Sequence, residues 1–420
     1  MRPAFLVSLV LLAFALAGRL HAYEDTFTGK GILRGSTMTK SDCVWKESSV
    51  WVVVDGRGDC LRYFAAGLNG SDTRRAIVWF DGDHYGAART AQTRAVSSPK
   101  IILTHARHFH KVFDVPFIRL SRPGILGSSG RHTERRRPRE IWLVNAALEA
   151  LKGKYGIQEF VVGGQSGGGH LTAAMLTVRK DILCAISASG ALSLQERWEH
   201  RDLTVDTTGY GDSWDPIKHI ASIPANDRRR VFIIGDPEDR NVPFFTQSNY
   251  YHEIKNHGHK VWLVEAQASG RGRHSLSNVG KSAAAACAKG WSTEEIIALA
   301  DPGDPRLRHA GRVYSPGDSR RYKGTWKGNY RSGRGVEMRI GDSLHPGILH
   351  VEFRVKRTEN RKRWRDRTIG IISDNGFAIH LKSGAVVHFA NGRHKTLHGV
   401  WQKGDRRFPM NLRKASEQVR

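Results

Sequence analysis

The sequence predicts two folds in series: a mostly parallel α/β sheet with helices on both faces, then a small antiparallel, barrel-like β domain. Three observations predict this. Apolar runs at 76–80 (AIVWF), 159–162 (EFVV), 182–187 (ILCAIS), 231–234 (VFII) and 261–264 (VWLV) alternate with helical stretches, the pattern of strands buried on both faces. Residues 301–320 then change character, with Pro302, Pro305 and Pro316 among glycines and charges. Beyond them, Asn375-Gly376, Ser383-Gly384 and Asn391-Gly392 punctuate short alternating runs, which read as hairpin turns between strands. The expected organisation is an export signal over 1–22, an α/β domain over 23–300, a linker over 301–320 and a basic all-β domain over 321–420.

The first element is the start, MRPAFLVSLVLLAFALAGRLHA. Arg2 precedes an apolar run, Ala4 to Ala17, that is too short to span a bilayer; Ala15-Leu16-Ala17 has the small-x-small form of a cleavage site, and Ala22 offers a second cut. A periplasmic or extracellular destination is expected. The four cysteines, Cys43, Cys60, Cys184 and Cys287, suit such an oxidising compartment. They permit three pairings; Cys43 and Cys60 flank VWVVV and DGRGD and are favoured as a bridge between adjacent strands. None stands in a metal-type C-x-x-C spacing.

Residues 23–75 read as short strands with turns, including a hairpin around Gly56 and Gly58 in VWVVVDGRGDCLRYF. AIVWF, a buried strand, runs into the loop Asp81-Gly82-Asp83-His84, and VPFIRL is a further strand. RPREIWLVNAALEALKGKYG carries Ile141, Val144, Ala147 and Leu151 at helical spacing. Strand EFVV meets Gly164-Gln165-Ser166-Gly167-Gly168, and GGHLTAAMLTVR follows as a helix. SNVGKSAAAACAKG is the last helix of this domain. In the C-terminal domain, GTWKGNY, ILHVEFRV, IGIIS, FAIHL, AVVHF, TLHGVW and FPMNL predict six to eight strands, whose closure would protect their edges. The basic stretch Arg354 to Arg367 is expected as one exposed loop, and Trp326, Trp364 and Trp401 as barrel core.

Chemistry concentrates around Ser166. A G-x-S-x-G pentapeptide is weak by itself, but strand–turn–helix placement is what a nucleophile elbow requires. Gly164 and Gly168 would let strand and helix approach without colliding side chains. A serine hydroxyl needs a base and an orienting acid. After VFII, the segment GDPEDRNVP offers Asp236 and Asp239; after VWLVEA, the loop QASGRGRHSLSN offers His274. All three positions fall at the carboxyl ends of parallel strands, in the order serine, acid, histidine.

With these residues the sequence resembles the α/β-hydrolase superfamily, in its prolyl oligopeptidase-like and dienelactone hydrolase-like branches. GQSGG, GDPEDRNVPFFTQ, GRHSLSN and the lead-in SWDPIKHIASIP carry the resemblance, over residues 42–289. It implies a serine hydrolase acting on a small ester or peptide through an acyl-enzyme on Ser166. His274 would be the base and Asp239, two residues short of Val242-Pro243, the acid in preference to Asp236. It also implies backbone donors for the oxyanion: the amide of Gly167 and that of Asp83 or Gly82. Asp-Gly-Asp replaces the family's frequent His-Gly-Gly here, and a free carboxylate beside an oxyanion would oppose its formation. No cofactor or metal is implied.

The remaining candidates are weaker. His170 on the elbow helix is expected to pack, and His105, His108 and His110 in HARHFH to sit on a helix without a carboxylate cluster for a metal. Tyr85 adjoins the oxyanion loop. The net charge is +26, of which residues 301–420 supply +16 from 27 Lys and Arg against 11 Asp and Glu. An anionic envelope polymer or membrane surface is the expected partner of 321–420; nucleic acid is not expected for an exported chain. The alternative function is an inactive hydrolase scaffold that binds through this basic domain.

Overall fold

The computed structural model describes residues 27–84, 97–268, 272–300, 321–330, 334–341, 348–355, 364–373, 376–381, 385–391, 396–403 and 406–415. The expected export signal, the linker and Tyr85 lie outside them. The described residues form two compact units, one of 27–107 and 115–291, the other of 108–114 and 292–415.

The first unit opens on two short helices, α1 (Gly29–Arg34) and α2 (Lys40–Val44), where strands were expected. Thr28 and Thr39 cap them by accepting from the amides of Gly31 and Asp42, and such one-turn helices leave no periodicity in a sequence. Strands β1 (Ser49–Val54) and β2 (Arg57–Ala66) form the expected hairpin. Asp55 and Gly56 turn it with φ of 51° and 71°, the doubly left-handed turn that suits strand twist. Strands β3 (Arg75–Phe80), β4 (Phe117–Leu120), β5 (Glu159–Gln165), β6 (Ile182–Ala188), β7 (Arg230–Gly235) and β8 (Val261–Glu265) complete an eight-stranded sheet in the order β1-β2-β4-β3-β5-β6-β7-β8. Strand β2 runs antiparallel to both β1 and β4, and every other neighbouring pair is parallel. This is the α/β-hydrolase arrangement that the resemblance implies.

Helix α3 (Pro99–Phe113) carries the HARHFH histidines. On one face of the sheet, Val78, Phe80, Phe160 and Val162 pack with Ile141 and Val144 of α4 (Pro138–Tyr155) and Leu171 of α5 (Gly167–Val178). Burial of each such side chain contributes about 1.5–3 kcal/mol against exposure. Two helices follow in the chain, α6 (Leu194–Glu199) and α7 (Phe244–Asn256). Helix α8 (Ser277–Ala288) lies against β3, β5 and β6, where Gly280 meets the buried ring of Trp79. Two disulfides tie the unit, Cys43–Cys60 and Cys184–Cys287. The first joins α2 to β2 rather than two adjacent strands.

The second unit holds helix α9 (Thr293–Ala300) and a closed eight-stranded barrel. Its strands are β9 (Gly324–Tyr330), β10 (Arg334–Gly341), β11 (Ile348–Val355), β12 (Trp364–Ser373), β13 (Gly376–His380), β14 (Val386–Asn391), β15 (Thr396–Lys403) and β16 (Arg406–Lys414). Each pairs antiparallel with the next, and β16 returns to β9. Val336, Met338, Val351, Phe353, Phe377 and Phe389 fill the interior with Trp326, while Trp401 packs partly buried against them. Trp364 lies in β12, its side chain outside the described set. The ends of the basic stretch are strand rather than loop: Arg354 and Val355 of β11 pair with Arg365 and Trp364 of β12, which continues through Arg367, and 356–363 lie outside the described residues.

Candidate active site

Strand β5 ends at Gln165, and Ser166 makes the turn into α5 with φ 57° and ψ −117°, a conformation costly for a residue with a Cβ. The surroundings hold it there. A Cβ on Gly164 would stand 2.2 Å from the backbone of Gly168, and one on Gly168 would stand 2.1 Å from the Phe80 carbonyl oxygen. Strand, turn and helix therefore touch backbone to backbone, which only glycine permits. Ser166 is half-buried, its amide donating to the Ala188 carbonyl at 2.8 Å.

The loops after β7 and β8 bring an acid and a histidine together. His274 Nδ1 lies 2.7 Å from Asp239 Oδ2, and the Asp239 carboxylate is fully enclosed. Asp239 Oδ1 accepts from the amides of Asn241 and Val242, at 2.8 and 3.0 Å. An ionised carboxylate only accepts, so Nδ1 donates in this bond, and in the neutral tautomer that does so Nε2 carries the lone pair. His274 Nε2 is buried with no hydrogen-bond partner among the described residues.

Asp236 is engaged elsewhere. Its oxygens accept from Arg273 Nε at 2.7 Å and from the amides of Ala268 and Glu238. Burial alone would raise its pKa, but the Arg273 hydrogen bond and the two amides outweigh it and hold the carboxyl below the usual range. Asp236 thus pins the histidine loop to the end of β7, while Asp239 touches the imidazole.

A further contact was not anticipated. Gln165 Nε2 donates to the carbonyl of His274 at 2.6 Å, and its Oε1 accepts from the Leu276 amide at 2.9 Å. The residue before Ser166 therefore fastens the histidine loop to the elbow. Nothing local to GQSGG signals this, because both partners lie more than a hundred residues downstream.

The loop after β3 lies against the elbow: a Cβ on Gly82 would be 3.1 Å from the Gln165 carbonyl oxygen and 3.4 Å from Ser166 Cβ. The Asp83 carboxylate faces Gly167, but it is not free. Arg122 Nη1 lies 2.7 Å and Arg135 Nε 2.9 Å from it, and Arg136 also donates to it. Arg122 further pairs with Glu140 at 2.8 Å and Arg136 with Asp206 at 2.6 Å. Burial would raise the Asp83 pKa, but Arg136, Arg122 and Arg135 prevail and hold it well below the ordinary value. Beside them His132, pushed well down by burial and by Arg122, is neutral and accepts the His84 amide on Nε2 at 3.2 Å. The His84 amide is thus taken, which leaves those of Gly82 and Asp83 as the loop's candidates. The amide of Gly167, as the first residue of α5, has no acceptor within the helix.

His170 is buried on α5 and held at about 4, chiefly by burial, with Nε2 donating to the Trp214 carbonyl at 2.7 Å. Among the described residues no three His, Cys, Asp or Glu side chains are grouped to hold a metal ion.

No protein-family model and no curated protein matches the chain. Among solved structures it is similar to an esterase of Pyrococcus furiosus, with 15% identity over 55% of this chain and 88% of that one and a TM-score of 0.38. It is also similar to an acylaminoacyl peptidase of Pyrococcus horikoshii, with 14% identity over 58% of this chain and 39% of that one and a TM-score of 0.40. A third likeness is to a propionate-bound esterase of Thermogutta terrifontis, with 19% identity over 58% of this chain and 93% of that one and a TM-score of 0.38.

Proposed function

We propose that the first unit is a serine hydrolase that cleaves an ester or peptide bond through an acyl-enzyme on Ser166. The observation that carries the reading is the 2.7 Å bond from His274 to the enclosed Asp239, with His274 Nε2 buried and unpartnered among the described residues. In this mechanism Nε2 takes the Ser166 proton as Oγ attacks the carbonyl carbon, and Asp239 stabilises the imidazolium that forms. The amides of Gly167 and of Asp83 or Gly82 donate to the developing oxyanion. His274 then protonates the leaving alcohol or amine. A water activated by the same nitrogen releases the acyl group.

A fluorophosphonate tests this directly. It should label the wild-type chain once, at Ser166, and fail to label Ser166→Ala. Labelling that survives the substitution, or none in the wild type, removes the reading. We also propose that the chain works in an oxidising compartment. The two disulfides and the apolar start support this, and mass spectrometry of the secreted or periplasmic form should find residues 1–22 removed. A full-length cytosolic product would refute it.

A further inference from the structure

The loop that carries Asp239 gathers positive charge without a matching anion. Arg197 on α6 is 6% exposed, and its Nε and Nη2 reach the carbonyl and side-chain oxygens of Asn241 at 3.3 and 3.2 Å. Arg201, one turn on, donates to the same two oxygens. Neither arginine has a carboxylate partner among the described residues, whereas Arg122, Arg135 and Arg136 each have one. The neighbouring acids are engaged otherwise: Glu196 accepts from Asn249, Glu199 from Gln195, and Glu238 pairs with Arg273. A buried cation without a paired carboxylate is costly: burial, then Arg136 and Arg201, push Arg197 down to about 10, and the more distant Asp83 and Asp206, both paired with Arg136, offset this only in part.

Beside this loop opens a cavity of about 720 Å³. His200, Arg201 and Arg240 give it a basic side; Pro237, Phe244 and Phe245 give it an apolar one. Asp239 borders it, but its carboxylate is enclosed and committed to His274. The Arg240 amide is fixed by the Gly272 carbonyl at 2.9 Å, and its side chain is exposed.

We propose that this cavity binds an organic carboxylate with an apolar or aromatic body, its charged end on Arg201 and Arg240 and its body against Phe244 and Phe245. Arg197 backs the site and adds to its field. On the hydrolase reading above, on which this last step rests, the carboxylate is a part of the substrate remote from the bond that is cut. Two guanidiniums suit the two oxygens of a carboxylate, and the aromatic wall distinguishes such a ligand from a bare inorganic anion.

The test is calorimetric binding of benzoate to the full chain, with benzamide as its neutral counterpart. Benzoate should bind at least tenfold more tightly than benzamide, and the double variant Arg201→Gln/Arg240→Gln should weaken benzoate about tenfold or more. Equal affinity for the two probes, or unchanged benzoate affinity in the double variant, overturns the site. Inorganic phosphate that binds as tightly as benzoate overturns its apolar half. Calorimetry needs no turnover, so the two readings fail separately. Benzoate binding without fluorophosphonate labelling sinks the hydrolase and keeps the site; labelling without benzoate binding does the reverse.

Discussion

Asp83→Asn probes the charge cluster beside the Ser166 turn. The substitution keeps the side chain's shape and removes the one negative charge shared by Arg122, Arg135 and Arg136. An asparagine offers one acceptor oxygen and turns an NH2 group toward a guanidinium, so at least one cation loses its carboxylate contact at this position. Removing one member of a buried ion pair costs about 3–5 kcal/mol. Asp83 is 18% exposed while the three arginines are 0–5% exposed, which favours the lower end, about 3 kcal/mol. For a unit of this size that is a fall in Tm of roughly 6–12 °C, read by thermal unfolding at pH 7. The pH dependence has a definite sign. A carboxyl held well below its ordinary value stabilises the fold fully above the unfolded pKa of about 3.9. That contribution is lost as pH falls from there toward the folded value. The gap between wild type and Asp83→Asn should therefore be full at pH 5–7 and narrow below about pH 4. A Tm shift under about 2 °C, or a gap that widens in acid, would refute the argument that Asp83 neutralises the arginines.

Three further outcomes follow from the same geometry. Asp239→Asn should reduce kcat about ten-thousandfold, by analogy with triads in which the orienting acid is lost, whereas Asp236→Asn should lower Tm more than kcat; the opposite ranking would exchange their roles. Gln165→Leu breaks the bonds to the His274 carbonyl and the Leu276 amide and leaves two partly buried groups without this partner. Rate should drop roughly ten- to a hundredfold, in kcat more than in KM, and a change confined to KM would show that Gln165 does not position His274. His170 is neutral when folded, with its pKa lowered to about 4, so it stabilises the fold at high pH and loses that contribution as pH falls from about 6.5 toward 4. His170→Gln should flatten unfolding free energy against pH across that window; an unaltered slope assigns it to other groups.

What was legible in the sequence was what is local. The strand–turn–helix around Ser166 shows as glycines between an apolar run and a helical one, and the barrel strands show as period-two runs between Asn-Gly and Ser-Gly turns. Strand β10 is not legible in the sequence although Val336, Met338 and Ile340 alternate inward, because glycines and arginines interrupt RSGRGVEMRIG. The helices α1 and α2 are each held by a single threonine cap, too little pattern to read. The Cys184–Cys287 bridge and the two bonds of Gln165 span about a hundred residues, and no local pattern records them.

The arginines around Asp83 were legible as composition and illegible as structure. Arg122, Arg135 and Arg136 look like three of many surface cations in a chain of charge +26, yet all three are buried. Their burial reverses the meaning of Asp-Gly-Asp. A carboxylate beside an oxyanion opposes it only while its own charge is uncompensated, and Asp83 meets three guanidiniums, two of which also hold Glu140 and Asp206. The cluster thus sets three carboxylates against three arginines, and its net field at Gly167 is far smaller than that of a lone aspartate. Replacing a small neutral residue by Asp83 and supplying its arginines from the β4–α4 segment gives the loop a rigid anchor. That anchor holds the loop of Gly82 and Asp83 against the elbow, which any oxyanion donor drawn from it requires.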